Sequence, residues 1–209
     1  MPRVTTAFKE DRRAEILEAA RRCVARSGFH QASMQEICAE AGMSPGNLYR
    51  YFPSKEAIIA GIAERDRAEV GAQLAAAQYT DDFFATFAAL ARHHLIDRSA
   101  DDVGLCTEMV AESRRNPAIA KIMQDFDADV RTRLIAMLRS AAGRGDIRSD
   151  VDFEGVVTML MVIADGVWWR RAVDPAFDAE TVLPIFMDLT RHMLLGNAAD
   201  RTKNKDAQS

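Results

Sequence analysis

Apolar residues recur along the chain at intervals of three and four, and no strand-like alternation persists anywhere. That period is the signature of helices, so the chain reads as helical from end to end. The first helix is expected from Glu10 to Ser27, with Ile16, Ala20, Cys23 and Val24 on its inner face and Gly28 as its stop. Ser33 opens a second helix, and Glu36 three residues later completes the pattern of a capping box. Gly42 ends it. Ser44-Pro45 opens a third, a cap followed by Pro at the first helical position. A long helix follows from Pro53-Ser54-Lys55-Glu56 to about Ala77.

Further helices are expected from Asp81 or Asp82 to about Arg98, from Val103 to Arg115, from Pro117 to Ala142 as one helix or two joined ones, from Val151 to Val173, and from Ala179 to Leu195. Asn116-Pro117, Gly143-Arg144-Gly145 and Asp174-Pro175 separate the later ones, and Ser149-Asp150 is the expected start of the helix at Val151. The polar segment 197–209 reads as a disordered tail.

Two short helices joined by the tight turn Gly42-Met43-Ser44 form the pattern of a helix-turn-helix that reads DNA. Each residue type has a physical use there. Gly42 can take the left-handed backbone of the turn. Ser44 can cap the third helix, whose first amides would face phosphate or base edges. Gly46 permits close backbone approach, and Asn47 can bond a base edge. Tyr49 and Tyr51 carry hydroxyls, and Lys55 carries a charge, for phosphates. Two tyrosines at i and i+2 cannot both face one core, so at least one is exposed.

Composition narrows the picture. With 209 residues and 48% apolar content the chain can bury a real core, and Ala, Leu, Met, Arg and Glu outweigh Val and Ile, which favours helix over sheet. The net charge of -4 is uneven. Residues 1–55 carry nine Lys and Arg against six Asp and Glu, while the remainder is acidic, so a bound polyanion would meet the N-terminal end. Cys23, Cys38 and Cys106 are odd in number and form no CxxC pair, which suits a reducing cytoplasm. Cys23 and Cys38 fall on apolar faces and read as core, with thiol sensing as the alternative. No apolar signal segment follows Met1. The apolar run from Gly155 to Trp169 is shorter than a membrane span and holds Asp165, so no membrane partner is expected.

The stretch from Gly28-Phe29 through Ser33-Met34-Gln35-Glu36-Ile37-Cys38-Ala39-Glu40-Ala41-Gly42-Met43-Ser44-Pro45-Gly46-Asn47-Leu48-Tyr49-Arg50-Tyr51-Phe52-Pro53-Ser54-Lys55-Glu56 closely resembles the DNA-binding domain of TetR-family regulators. It departs only at Cys38, which stands between Ile37 and Ala39. The resemblance spans roughly residues 10–60. It implies an all-α, nine-helix protein, with a helix-turn-helix domain over 1–55 and a helical ligand-binding and dimerisation domain over 56–196. It also implies a homodimer through the last two helices, operator DNA as partner, and DNA contacts at Ser33, Ser44, Pro45, Gly46, Asn47, Tyr49, Tyr51 and Lys55. Arg3 and Lys9 would lie in an N-terminal arm. Arg50 falls at a variable place in the family. The run from Asp165 to Pro175 is similar to the BetI-like subgroup, whose members answer to unrelated ligands, so it bears on architecture and not on an inducer.

The helix from Val151 is apolar on every face, which asks for cover on all sides. Its faces hold Val156, Leu160, Ile163 and Val167; Val157, Met161, Ala164 and Trp168; and Gly155, Met159, Val162, Gly166 and Trp169. Together with Leu183, Phe186, Met187 and Leu194 of the last helix it reads as a dimer interface, and as the core of a single chain in the alternative reading. Phe83, Phe87, Met109, Met123, Phe126, Met159 and Trp168 are the candidate lining of an adaptable apolar cavity for a small-molecule inducer, with plain core packing as the reading for most of them. Glu108 and Asp165 are candidate partners for a cationic ligand, with a solvent-facing or salt-bridged carboxylate as the favoured alternative.

His93, His94 and Asp97 suggest a metal site only weakly, because adjacent histidines on a helix project about 100° apart. No Ser-His-Asp order, Gly-rich phosphate loop or HExxH motif appears, so the chain is expected to be no enzyme and to need no cofactor. A protein that dimerises but reads DNA poorly is the other alternative, and the Tyr49, Tyr51 and Lys55 set argues against it. Operator letters, inducer and regulated genes stay open, as does repression against activation.

Overall fold

The computed structural model describes residues 6–77, 80 and 82–196. The tail over 197–209 and Arg3 lie outside the described residues. Among these, the chain forms nine α-helices and no strand: α1 Thr6–Gln31, α2 Met34–Glu40, α3 Pro45–Tyr51, α4 Lys55–Ala77, α5 Phe83–Arg92, α6 Ala100–Ser113, α7 Pro117–Arg144, α8 Phe153–Val173 and α9 Val182–Leu195. A π-helical turn, His93–Asp97, follows α5, and a 3-10 turn, Ala179–Thr181, precedes α9. By packing, the described residues divide into one compact unit within 6–68 and 99–127 and a second within 69–98 and 128–196.

The first unit is built around α1. Ile16, Ala20, Cys23 and Val24 are fully buried, and they share a core with Ile37 and Cys38 of α2, Leu48 of α3 and Ile58, Ile59 and Ile62 of α4. Leu105 and Met109 of α6 and Ile119 of α7 close that core. α1 and α6 pack tightly, since a side chain on Gly104 would come within 3.2 Å of the Ala25 Cβ. Across the same interface the buried Arg21 forms ion pairs with Asp66 of α4 and Asp102 of α6.

Several helix ends differ from the expectation, each for a local reason. Gly28 does break α1, at φ 79°, but the chain resumes helical geometry immediately and continues to Gln31. The Ser33 hydroxyl accepts from the Glu36 amide at 3.1 Å, yet the Glu36 carboxylate pairs with Arg26 instead of closing the box. Ser44 makes no side-chain cap on α3. The full capping box belongs to Ser99 and Asp102, which start α6 three residues earlier than expected. Asp82 caps α5 by accepting from the Ala85 amide. Residues 117–144 form one helix, and Asp152, not Ser149-Asp150, caps α8. Both cysteines on α1 and α2 are core residues, and burial pushes the thiols of Cys23 and Cys38 up in pKa, away from the reactive thiolate.

In the second unit Phe83, Phe87 and Phe186 stack in series, with ring centroids 5.9 and 6.2 Å apart, and so join α5 to α9. Thr190, wholly buried on α9, returns its hydroxyl to the Phe186 carbonyl at 2.7 Å. The faces of α8 separate by burial. Val156, Val157, Leu160 and Val167 are buried, whereas Met159, Val162 and Trp169 are about half exposed. No helix of the described residues is long and apolar enough to cross a membrane.

The Arg21 cluster yields a stability test. Replacing Arg21 by Met takes a shared guanidinium from two largely buried carboxylates, and breaking such a pair from one side costs about 3 kcal/mol. Urea unfolding of Arg21→Met should show that loss. Adding Asp66→Asn and Asp102→Asn should recover most of it. An unchanged midpoint would mean that the cluster is electrostatically idle.

Candidate functional site

Within the first unit, the α2–α3 corner is set by Gly42, whose φ of 63° turns the chain between the two helices. A Cβ there would meet nothing within 4 Å, so the requirement is for backbone conformation and not for space. Leu48 and Phe52 anchor α3 in the core. That anchoring fixes the outer face. Ser44, Pro45, Gly46, Tyr49 and Arg50 are exposed, and Asn47 is half-buried. Tyr49 is 51% exposed, whereas Tyr51 packs against the core; the two tyrosines split their duties as the i, i+2 spacing requires. Gly46 has ordinary backbone geometry, and a Cβ on it would touch nothing within 4 Å. The fold therefore gives no reason for glycine at that place.

Lys55 lies differently from the expectation of an outward-facing charge. Its ammonium donates to the Phe29 carbonyl and sits 4.1 Å from the centroid of the Phe29 ring. Burial lowers its pKa, against a smaller opposing effect of Glu56 and Glu112. Ser33 is exposed and engaged as the α2 cap. Lys9 is exposed. Around the corner most cations are paired, Arg22 with Glu40 at 2.7 Å and Arg26 with Glu36 and Glu40.

The seven candidate lining residues divide between the two units. Met109 is a core residue of the first unit, and Met123 packs against that core. Phe126, half-buried, belongs to the same unit. Phe83, Phe87, Met159 and Trp168 belong to the second. There Phe83 and Phe87 are committed to the aromatic stack, and Met159 borders an open cleft of about 390 Å³ with Arg148, Asp152, Val156 and Met193. Arg148 of that cleft is already chelated by Asp150. Glu108 accepts the Phe29 amide at 3.1 Å beside the Gly28 break. Asp165 is exposed on α8.

A partly exposed polar cluster of the second unit escaped the sequence reading. The Glu69 carboxylate of α4 receives Gln73 Nε2 at 3.4 Å, His93 Nε2 at 3.1 Å and Arg98 at 3.6 Å. Trp168 Nε1 donates to the His94 carbonyl at 3.0 Å, and Arg171 donates to the carbonyls of Leu95 and Arg98. Glu69 and Gln73 are visible in sequence as an i, i+4 pair, but nothing local announces the π turn that meets them. Asp97 lies near Arg92 at 3.7 Å rather than beside the histidines. His94 is held neutral, its pKa pushed down to about 4 by burial and then by the charges of Arg98 and His93.

Residues 16–62 match the family model described as bacterial regulatory proteins, tetR family, and residues 91–195 match that of the BetI-type transcriptional repressor C-terminal domain. The HTH-type transcriptional regulator UidR of Escherichia coli K12 is 30% identical over 159 residues, covering 74% of this chain and 79% of its own. The chain belongs to the TetR family. Solved TetR-family structures agree in fold. Salmonella enterica GusR superposes with a TM-score of 0.76 at 28% identity, over 91% of this chain and 98% of its own. A SmeT–triclosan complex does so at 0.78 and 22% identity, over 90% and 93%. TetR-family membership makes the chain a DNA-binding transcriptional regulator and not an enzyme.

The neutral His94 sets a pH dependence. An imidazole with an unfolded pKa near 6.5 and a folded pKa of about 4 binds its proton in the unfolded chain first. Stability is therefore full above pH 6.5 and falls as pH drops toward 4. Between pH 7 and 5 the loss from His94 is about 2 kcal/mol. Urea midpoints at those two pH values should differ by that amount more in the wild type than in His94→Gln; equal differences would refute the assignment.

Proposed function

We propose that the chain is a dimeric repressor that binds a palindromic operator through α2 and α3 and is released when a small-molecule inducer occupies its second unit. The observation that carries the DNA half is the outer face of α3. Tyr49 is exposed beside Gly46, a glycine for which the fold has no use. Glycine in a helix is unfavourable by up to about 1 kcal/mol against Ala, so its presence on an open face fits close approach by a partner's backbone. Ser33, Ser44, Pro45, Asn47, Tyr51 and Lys55 complete the proposed contact set. For Lys55 this requires its ammonium to leave the Phe29 carbonyl for a phosphate. The functional division is then a DNA-reading part over 1–55 and an effector and dimerisation part over 56–196.

The dimer half rests on a continuous apolar face. Met159, Val162, Trp169 and Val173 of α8 and Ile185 and Leu189 of α9 are each about half exposed. Six large apolar side chains on two helices form the kind of patch that marks an interface, and a twofold axis would let the face meet its own copy. The inducer half draws on the triclosan bound by SmeT, a protein of the same fold.

Genomic fragments selected by the purified protein should converge on a palindrome whose half-sites lie one helical turn or a multiple of it apart. The double variant Tyr49→Ala/Lys55→Ala should bind all sequences more weakly, with the slope of log affinity against log salt reduced by about 1 per lost phosphate contact. Gly46→Ala should keep or slightly raise its melting temperature and lose the operator. If no site is selected even by refolded, ligand-free protein, the repressor reading falls.

Sedimentation of Trp169→Glu/Ile185→Glu should give a folded monomer with a helical circular dichroism spectrum like the wild type. A persisting dimer would place the interface elsewhere.

A further inference from the structure

Arg13 of α1 is tied to the end of α3 by two contacts. Its guanidinium lies over the Phe52 ring, with Cζ 4.5 Å from the ring centroid, and donates to the Tyr51 carbonyl at 3.5 Å. It enters no ion pair with the described residues, whereas its neighbour Arg12 pairs with Glu15. The charge of this half-buried side chain is therefore spent on α3 and not on a carboxylate.

The place of these contacts gives them weight. α3 has only seven residues, and Leu48 with Phe52, its C-cap, are the buried anchors. A rod held at two points keeps a rotation about the line that joins them, and a contact off that line removes the rotation. The Tyr51 carbonyl supplies such a contact. The last carbonyls of a helix lack partners within it, and a cation there also meets the negative end of the helix dipole. The Phe52 ring in turn has a fixed seat on α4, since a Cβ on Gly61 would lie 2.9 Å from Phe52 Cε1 and 3.1 Å from Leu17 Cδ2. Rotation about the anchors would swing Gly46, Tyr49 and Arg50, which are exposed on the outer face.

We propose that Arg13 is a positioning residue for operator recognition: it fixes the rotation of α3 on its anchors, and so sets the discrimination between operator and other DNA without touching DNA itself. The inference rests on the reading of α3 as the helix that enters the operator. Phosphate contacts supply binding to any sequence, whereas base-edge contacts carry the specificity and demand hydrogen-bond geometry. A small turn of α3 disrupts the second kind and leaves the charges that make the first. Arginine suits the task because one planar group stacks and donates at the same time.

The test uses the full chain and two DNA probes, the operator selected as described above and a random duplex of the same length, each titrated at two salt concentrations. In Arg13→Met the ratio of operator to random affinity should fall about tenfold or more, while the slope of log affinity against log salt stays as in the wild type. Arg13→Lys keeps the charge and loses the plane, so its ratio should fall as well, by about threefold or more. A phosphate contact would act differently. Arg13→Met would then bind both duplexes more weakly with a slope reduced by about 0.9, and Arg13→Lys would bind as the wild type does. A merely structural role would lower the urea midpoint and leave the ratio unchanged. Without DNA, the fluorine signal of Tyr49 in fluorotyrosine-labelled protein should move in Arg13→Met.

An unchanged ratio, a slope reduced by one contact, or a Tyr49 signal that stays in place would overturn the proposal. The two readings fail separately. An operator that Arg13→Met discriminates as well as the wild type does removes this role and leaves the repressor standing. Selection of no operator, with a Tyr49 signal that moves, keeps the hold of Arg13 on α3 and removes the repressor.

Discussion

The DNA-reading corner depends on a helix that arrives some sixty residues later in the chain. α2 and α3, of seven residues each, are too short to cover α1 on all sides, and small helical domains are marginal for that reason. α6 supplies the missing wall. Leu105 and Met109 enter the core, Glu108 takes the amide that the Gly28 break releases, and Asp102 shares the buried Arg21 with Asp66. Glu112, nearly buried, pairs at the same end with His30 and Arg115. Four successive turns of one helix thus carry the apolar cover and the polar partners of α1. The geometry of α3 on its open side follows from this, because Leu48 and Phe52 can be anchored only in a core that α6 has closed.

That dependence also marks where sequence reading succeeds. The turn at Gly42, the cap at Ser33 and the apolar faces of α1 are local, and spacing alone reveals them. The split between Tyr49 and Tyr51 was legible for the same reason: an i, i+2 pair must diverge. The role of Glu108 was not legible. Its partner is the Phe29 amide, seventy-nine positions away, and no local pattern joins them. Lys55 is a different case. Its type and place suggested an outward charge, but Phe29 offers it a ring and a carbonyl at close range, and in the absence of DNA that pairing holds it.

The expected cavity lining shows why composition alone is ambiguous. Methionine and phenylalanine fit both an adaptable pocket and an ordinary core, and burial in a core is the commoner fate. Met109 and Met123 went to the core of the first unit, and Phe83 and Phe87 to a stack with Phe186. The group around Glu69 is legible only in part: Glu69 and Gln73 stand at i and i+4, but nothing in the spacing announces the π turn whose His93 meets Glu69.

The apolar uniformity of α8 has a similar resolution. A helix buried all round inside one chain would show no exposed row, yet Met159, Val162 and Trp169 remain about half exposed while Val156, Val157, Leu160 and Val167 are buried. α9 repeats the division, with Phe186, Met187 and Leu194 inward and Ile185 and Leu189 outward. Two neighbouring helices that each carry a second apolar face present a surface that water covers poorly. A stable interface needs about 800 Å² from each partner, which two helices of 21 and 14 residues can supply. A single chain leaves that surface wet, and a twofold copy is the simplest way to cover it, because the face then needs complementarity only to itself.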